Sequence, residues 1–222
     1  MNLALIGYGK MGQLLERLAP EYGFTVTARV ENTEEIAALR DTSVAIDFSV
    51  SDAVPATVER LAAAGICVVE GTTGWLEHLP VVKASVAKHG TGMVWSPNYS
   101  VGVAVFSRLA AEAARLLKDD SAYEAWAWEM HHSAKKDAPS GTMLKLVDEM
   151  RAAGYSKPVD IASSRAGKVP GTHEIGFDSA ADTITLRHTA RSREGFAHGA
   201  LKAARWIVGK TGFHTFEEVL FS

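Results

Sequence analysis

The stretch Glu129-Met130-His131-His132-Ser133-Ala134-Lys135-Lys136-Asp137-Ala138-Pro139-Ser140-Gly141-Thr142 gathers two imidazoles and two ammonium groups ahead of a candidate helix start. Imidazoles titrate near neutral pH, so His131 and His132 suit proton exchange. A helix opening at Ser140, with Gly141 in its first turn, offers bare backbone N–H groups to an anion. With the four cationic side chains beside it, this arrangement suits a small substrate carrying carboxylates. The lysines also read as a solvated charge run. The histidine pair alone would invite a metal, but no third or fourth ligand stands at a suitable sequence spacing, and no metal is expected. Asp137 reads as a residue that stabilises the turn or caps the helix.

A second constellation lies at the N-terminus. Gly7-Tyr8-Gly9-Lys10-Met11-Gly12 follows the G-x-G-x-x-G order directly after a candidate strand. A tight turn at the first glycine and a side-chain-free approach at the second let a pyrophosphate rest on helix N-terminal amides, while the third lets helix and strand pack closely. Three glycines in a turn can be purely structural. Here Glu31 closes the second candidate strand, about 20 residues on, where a carboxylate bonds ribose hydroxyls. That carboxylate favours NADH and repels the 2′-phosphate of NADPH. Arg29 and Lys10 stand close enough in sequence to soften the repulsion, so NADH is expected with NADPH tolerated. Lys10 reads equally as a solvated first-turn lysine. Two further turns, Gly71-Thr72-Thr73-Gly74 and Ser96-Pro97-Asn98-Tyr99, sit beyond strand ends where a doubly wound sheet places its ligand. Phe48-Ser49 belongs to the same rim, and together they are expected to line the nicotinamide end.

The elements that must position these groups alternate over the first hundred residues. Short apolar runs at 2–6, 24–30, 44–48, 67–69 and 93–95 read as strands. Between them, Met11, Leu14, Leu15 and Leu18 recur at helical spacing, as do Val54, Val58, Leu61 and Ala62, and 76–89 is helical. Asn32 and Glu35 resemble a capping box, and Ser51 and Asp52 are candidate caps. Strand–helix alternation at this interval implies a parallel, doubly wound, Rossmann-like α/β sheet. After Ser100 the texture changes: an Ala-rich helix at 101–117, a strand at 122–132 carrying Trp126 and Trp128, and a helix ending near Gly154. Strands at 159–163, 173–178 and 182–189 arrive with little helix between them, which predicts an α+β domain with a mixed or antiparallel sheet. A final amphipathic helix covers 197–208. The strand's alternation suits cover on both faces, with Trp126 and Trp128 packing in the core or against another subunit.

A balance of 23 basic against 26 acidic side chains, net −3, argues against electrostatic nucleic-acid binding. No apolar run approaches the roughly 20 residues of a membrane helix. The single cysteine, Cys67, excludes an internal disulfide. The opening Met-Asn-Leu-Ala-Leu-Ile-Gly lacks a basic lead-in or cleavage site, so a reduced, cytoplasmic protein without nucleic-acid or membrane partners is expected.

Glu-Met-His-His-x-x-Lys-x-Asp-Ala-Pro-Ser-Gly-Thr at 129–142 closely resembles the signature of the dihydrodipicolinate reductase family. The likeness extends to Gly-Tyr-Gly-Lys-Met-Gly at 7–12, Asp-Phe-Ser at 47–49, Gly-Thr-Thr-Gly at 71–74 and Asn-Tyr-Ser-Val-Gly-Val at 98–103. It continues through Arg-x-Gly-x-x-Pro-Gly-Thr-His-Glu at 165–174 and Ser-Arg-Glu-Gly-Phe-Ala-x-Gly-Ala at 192–200. The resemblance implies NAD(P)H-dependent reduction of 4-hydroxy-tetrahydrodipicolinate, with loss of water, on the diaminopimelate route to lysine. By the same likeness, His131 matches a proton donor and acceptor, and Lys135 a second proton donor. His132 matches a substrate-carboxylate contact, Gly141 and Thr142 the amides that hold a carboxylate, and Ser140 is a neighbouring candidate. Gly71–Thr73 and Ser96–Tyr99 match cofactor-binding turns.

The family further implies a homotetramer joined through the C-terminal sheets, which gives Trp126 and Trp128 a place. It also returns the last helix to the cofactor domain. The expected domains are therefore 1–100 with 194–222 for the dinucleotide and 101–193 for substrate and oligomerisation. Hinges near Ser100 and Arg193 are expected to close the two together. Asn32 stands where NADPH-using members often carry arginine, and the chain is shortened around its second strand. Two other readings remain. One is a related Rossmann oxidoreductase acting on another amino-acid-derived imine or carbonyl; the other is a non-catalytic NAD-binding regulator, which would have lost its proton-handling residues.

Overall fold

Short runs of Leu, Ile, Val and Ala cannot complete a helix, and their near-continuous apolar character suits strands covered on both faces. The computed structural model describes every residue except 33, 34, 37 and 38. In it these runs, numbered along the chain, are β1 (Asn2–Ile6), β2 (Thr25–Val30), β3 (Val44–Asp47), β4 (Cys67–Glu70) and β5 (Gly92–Trp95). With β10 (Gly212–Thr215) they form one sheet in the order β10-β5-β4-β3-β1-β2, every pair parallel.

Helices cover both faces. Leu15 and Leu18 of α1 (Lys10–Leu18) and Ala200, Leu201 and Ile207 of α6 (Glu194–Ile207) bury against Leu3, Leu5, Val69 and Val94. On the other face, α2 (Val54–Ala63) and α3 (Leu79–His89) bring Val58, Leu61, Val82 and Val86 onto Ala4, Ile6, Val68 and Met93. The chain leaves β1 for β2 on one side and β3 on the other, so a crevice opens beyond the carboxyl ends of β1 and β3.

Two local expectations need correction, and a third falls partly outside the described residues. Ser51 and Asp52 do not cap α2: a short 3-10 turn, Ser51–Ala53, precedes it, Ala53 is the N-cap and no side-chain cap bond forms. The helix opened by Asn32 and Glu35 falls on a stretch where 33, 34, 37 and 38 lie outside the described residues, although the Glu35 amide does reach Asn32 O at 3.0 Å. Finally, α6 is not the last element. The edge strand β10 follows it, and then α7 (Phe216–Phe221), which opens on a capping box between Thr215 and Glu218.

Contacts divide the chain into two compact units, Met1–Val101 with Glu194–Ser222, and Gly102–Arg193. The second unit holds α4 (Val101–Leu117), which begins at the boundary, β6 (Glu124–His131), α5 (Gly141–Ala152), β7 (Val159–Arg165), β8 (Thr172–Asp178) and β9 (Thr183–Thr189). Its sheet runs β7-β6-β8-β9, with β6 and β7 parallel and the other pairs antiparallel, hence mixed. Phe106, Ala110, Met143, Leu146 and Met150 of α4 and α5 pack on Ala125, Ala127, Ile175 and Phe177. Trp126, Trp128 and Met130 point the other way and stay only half-buried within the chain, so the strand is fully covered on one face, not both. Among the described residues, no helix is long and apolar enough to cross a membrane.

Candidate active site

In the first unit the glycine motif takes the shape its chemistry asks for. Gly7 has φ +80 and passes so close to the β3 loop that a Cβ would lie 2.7 Å from Phe48 O. Gly12 is equally tight, its Cβ position 2.6 Å from Gly7 O, which is the close packing of helix on strand. Gly9 is the opposite, with nothing within 4 Å of a Cβ, and as N-cap of α1 it makes no side-chain cap bond. Free amides therefore face an open cradle. A cavity of about 440 Å³ lies there, lined by Gly7, Tyr8, Gly9, Glu31, Phe48 and Ser49 among others. These features fit a dinucleotide: amides for its pyrophosphate and the Glu31 carboxylate for ribose hydroxyls.

Arg29 is less available than sequence proximity suggested. Its Nε donates to Glu16 Oε2 at 2.9 Å, a second nitrogen bonds Glu16 Oε1, and the guanidinium lies 5.5 Å from the Tyr8 ring centroid. Tyr8 OH also donates to Glu16. Lys10 is exposed, and the Met11 side chain packs toward the core.

Behind the rim, the Ser49 amide donates to Asp47 Oδ1 at 2.8 Å and the Thr72 amide to Glu70 Oε1 at 2.7 Å. Gly71 lies against the Phe48 ring with no room for a Cβ. Ser96 Oγ donates to Asn98 O at 2.8 Å, and Thr73 and Pro97 are exposed. Tyr99 departs from the rim: its ring is buried against Phe216, and its hydroxyl donates to Glu70 O at 2.8 Å. Its side chain is a strut of the core, which leaves only its backbone for a ligand.

In the second unit the constellation is built on one end of β6. Period-two alternation places Glu129 and His131 together on the buried face and His132 just past the strand's end. Glu129 is wholly buried, and it was not among the residues singled out for chemistry. Its Oε1 accepts from the Ser140 amide at 2.9 Å, Ser163 Oγ at 2.9 Å and Arg165 at 2.7 Å. The Ser140 hydroxyl donates to Oε2 and also accepts from the Met143 amide at 3.2 Å, making Ser140 the N-cap of α5. The hydroxyl is thus engaged within the protein and is not offered to a ligand. Burial works to raise the Glu129 pKa, but bonds from Ser140, Arg165 and Ser163 outweigh it and hold the carboxyl below its usual range.

His131 Nδ1 and His173 Nε2 each stand 3.6 Å from Glu129 Oε2, and the two rings meet edge to face at 5.0 Å. Burial is the main reason His131 is pushed below the usual imidazole range, with Glu129 opposing it. For His173, burial and then His131 bring it down to about 4. Both imidazoles are therefore neutral at pH 7 in the substrate-free protein. Lys135 Nζ pairs with Asp137 at 2.8 Å and is the main cause that lowers the Asp137 pKa; backbone amides of Asp137 itself and of Gly141 also bond this carboxylate, so Asp137 stabilises the turn into α5 as well as pairing with the lysine. Gly141 is exposed, with nothing near a Cβ, but its amide donates to the Asp137 carboxylate; Thr142 is half-buried.

Sequence spacing missed the convergence of Glu129, Ser163, Arg165 and His173, which lie on three strands. One signal was present: an acid in the middle of an apolar strand requires a partner when buried. The metal argument changes as well. Glu129, His131 and His173 bring ligand atoms within 4.8 Å of one another, a third ligand that linear spacing hid. Arg165, already paired to the same carboxylate, supplies the positive charge there and opposes a cation.

Two family descriptions match this chain: "Dihydrodipicolinate reductase, N-terminus" over residues 1–99 and "Dihydrodipicolinate reductase, C-terminus" over 102–220. The 4-hydroxy-tetrahydrodipicolinate reductase of Christiangramia forsetii is 34% identical over 233 aligned positions, covering 99% of this chain and 98% of its own. That of Methanococcoides burtonii is 37% identical over 197 positions, covering 82% and 74%. Among solved structures, the dipicolinate-bound dihydrodipicolinate reductase of Paenisporosarcina sp. TG-14 shares the fold, with TM-score 0.81 at 21% identity over 98% of both chains.

Proposed function

The chain belongs to the dihydrodipicolinate reductase family, and its reaction is the NAD(P)H-dependent reduction of 4-hydroxy-tetrahydrodipicolinate to tetrahydrodipicolinate with loss of water; from that premise we propose which residues perform it. The nicotinamide nucleotide supplies a hydride to the substrate ring once the 4-hydroxyl has left as water. Gly9 and the first amides of α1 would receive its pyrophosphate and Glu31 its ribose. The turns at Phe48–Ser49, Gly71–Thr73 and Ser96–Asn98 would line its nicotinamide end. Tyr8 and Gly12 shape the same cradle. NADH is the preferred form, because Glu31 faces the cavity while Glu16 withholds Arg29 from a 2′-phosphate.

The substrate is a small dicarboxylate, for which the Thr142 amide, the Gly141 amide in place of its bond to Asp137, and His132 offer charge-complementary contacts. Its carboxylates beside His131 would raise an imidazole that burial otherwise keeps neutral, so the proton arrives with the ligand it serves. His131 then delivers that proton to the electron-rich ring, and Lys135 stabilises developing negative charge. Ser140 acts behind them, joining α5 to Glu129. Residues 1–100 with 194–222 would carry the cofactor and 101–193 the substrate. The half-buried Trp126 and Trp128 fit a face covered by another subunit in a homotetramer. The proposed location is the cytoplasm.

One observation carries this reading: a buried imidazole, His131, stands 3.6 Å from the Glu129 carboxylate that anchors the N-terminus of α5. The test is oxidation of NADH and NADPH, side by side, by the pure protein with freshly generated 4-hydroxy-tetrahydrodipicolinate. Turnover with a higher kcat/KM for NADH is expected. No oxidation above the substrate-free rate would discard the assignment in favour of another imine substrate.

A further inference from the structure

Asp47 ends β3 and Glu70 ends β4, and the two are partners across that parallel pair. Both are wholly buried. Among the described residues no cation pairs with either, while the Asp47 and Glu70 side chains are hydrogen-bonding neighbours. Each carboxyl spends one oxygen on a rim amide, Asp47 Oδ1 on Ser49 and Glu70 Oε1 on Thr72, at 2.8 and 2.7 Å. The remaining oxygens, Asp47 Oδ2 and Glu70 Oε2, are buried and unpaired, and the only donors beside them are the neutral hydroxyls of Ser49 and Thr72, among the described residues. A neutral hydroxyl apiece does not offset two full charges side by side in a buried site, whereas one proton held between the carboxyls removes one of them. The loops they hold also pack on one another through Phe48 and Gly71, so moving one disturbs both.

Resting on the cofactor reading above, we propose that Asp47 and Glu70 form a carboxylic acid–carboxylate pair that shares one proton and, as positioning residues, clamps loops 48–49 and 71–73 in the shape that receives the nicotinamide nucleotide. Losing that proton at alkaline pH sets two charges against each other and opens the clamp. Burial raises both carboxyls, and Asp47 pushes Glu70 further, well above the carboxylate range. Among the described titratable groups on surrounding elements, Tyr99 is tied to the pair through its bond to Glu70 O, with Glu217 acting on Tyr99 in turn, and burial keeps the Tyr99 hydroxyl protonated. On this face of the sheet α2 contributes Val54 and Val58, and α3 contributes Val82 and Val86. Asp52 is exposed, and Glu59 is engaged by Ser85, Lys88 and His89.

The test is the NADH dissociation constant, measured by direct fluorescence titration from pH 7 to 10, for the parent, Glu70→Gln and Asp47→Asn. Glutamine still accepts the Thr72 amide and donates to Asp47, but has no proton to lose. Parent affinity is expected to weaken with pH by up to about tenfold per unit, the limit for one proton. Between pH 7 and 10 the affinity of Glu70→Gln should change less than the parent's. The ligand-free thermal midpoint of Glu70→Gln should likewise resist alkali better than the parent's. A parent-like alkaline loss in a folded variant overturns the clamp, as does a parent flat across the range, or loss of fold in both variants. A parent that binds no NADH at pH 7 overturns the cofactor reading first, and the clamp with it.

Discussion

Two imidazoles, His131 and His173, face each other at 5.0 Å, and the Glu129 carboxylate beside them is held ionised by Arg165 and three hydroxyl or amide donors. The arrangement lets one ring change its proton count with the ligand while the buried neighbour stays neutral. General acid groups typically contribute about 10²–10⁴-fold. Steady-state kinetics of His131→Ala and Lys135→Ala should therefore show kcat lowered by that order with KM little moved; a near-parent kcat removes the residue from the proton path. His132→Ala should raise KM for the dicarboxylate instead, and a pure kcat loss would contradict a binding role. The cofactor end has its own residue-scale test. Glu16→Gln weakens the hold on Arg29, and kcat/KM for NADPH should rise by about tenfold, the worth of one modest charge-assisted contact. An unchanged NADPH to NADH ratio would show that Arg29 lies out of reach of the 2′-phosphate.

At the scale of elements, α5 is held to the second sheet by its first turn. Ser140 is at once its N-cap and a ligand of Glu129 on β6, so helix and strand share one hydrogen-bond network. Removing such a cap costs about 0.5–2 kcal/mol, and an abandoned buried acceptor adds about 1–3 kcal/mol. Ser140→Ala should lower the denaturant midpoint accordingly and raise KM for the substrate, because the amides of Gly141 and Thr142 lose their anchor. A parent midpoint would mean that water replaces the hydroxyl without loss. The helix itself was legible, since Ser140, Gly141 and the apolar spacing of Met143, Leu146, Val147 and Met150 are local signals. So were β1 to β5, each a run of apolar residues between breakers. The tether to Glu129 was not legible, because its partners Ser163, Arg165 and His173 lie on β7 and β8, and strand register is a long-range fact. The same reason hid the Asp47–Glu70 pair. The missed tail is a different case: Thr215 and Glu218 spell a capping box that local reading can find, but β10 is an edge strand with little apolar content to announce it.

For the whole molecule, these buried groups bound stability from both sides of the pH scale. A group counts through the difference between its folded and unfolded proton affinities. Glu70 is raised in the folded state, which keeps a proton the unfolded chain releases; stability therefore falls as pH climbs through its folded pKa. Glu129 is depressed, and its contribution fades as acid protonates it. His173 sits at about 4 against 6.5 for a free imidazole. Between those values the unfolded chain takes up a proton that the folded chain refuses, so stability rises with pH across this window and is lost on acidification. A shift of that size corresponds to something on the order of 3 kcal/mol at full effect. Unfolding free energies measured from pH 7 down to 4 should fall steeply for the parent and less steeply for His173→Asn. That variant starts lower, because it gives up the ring's contact with His131, so the slope and not the intercept is diagnostic. If both slopes coincide, His173 is titrating as it would in water, and the acid sensitivity belongs to the other depressed groups, His131, His188 and carboxylates such as Glu129.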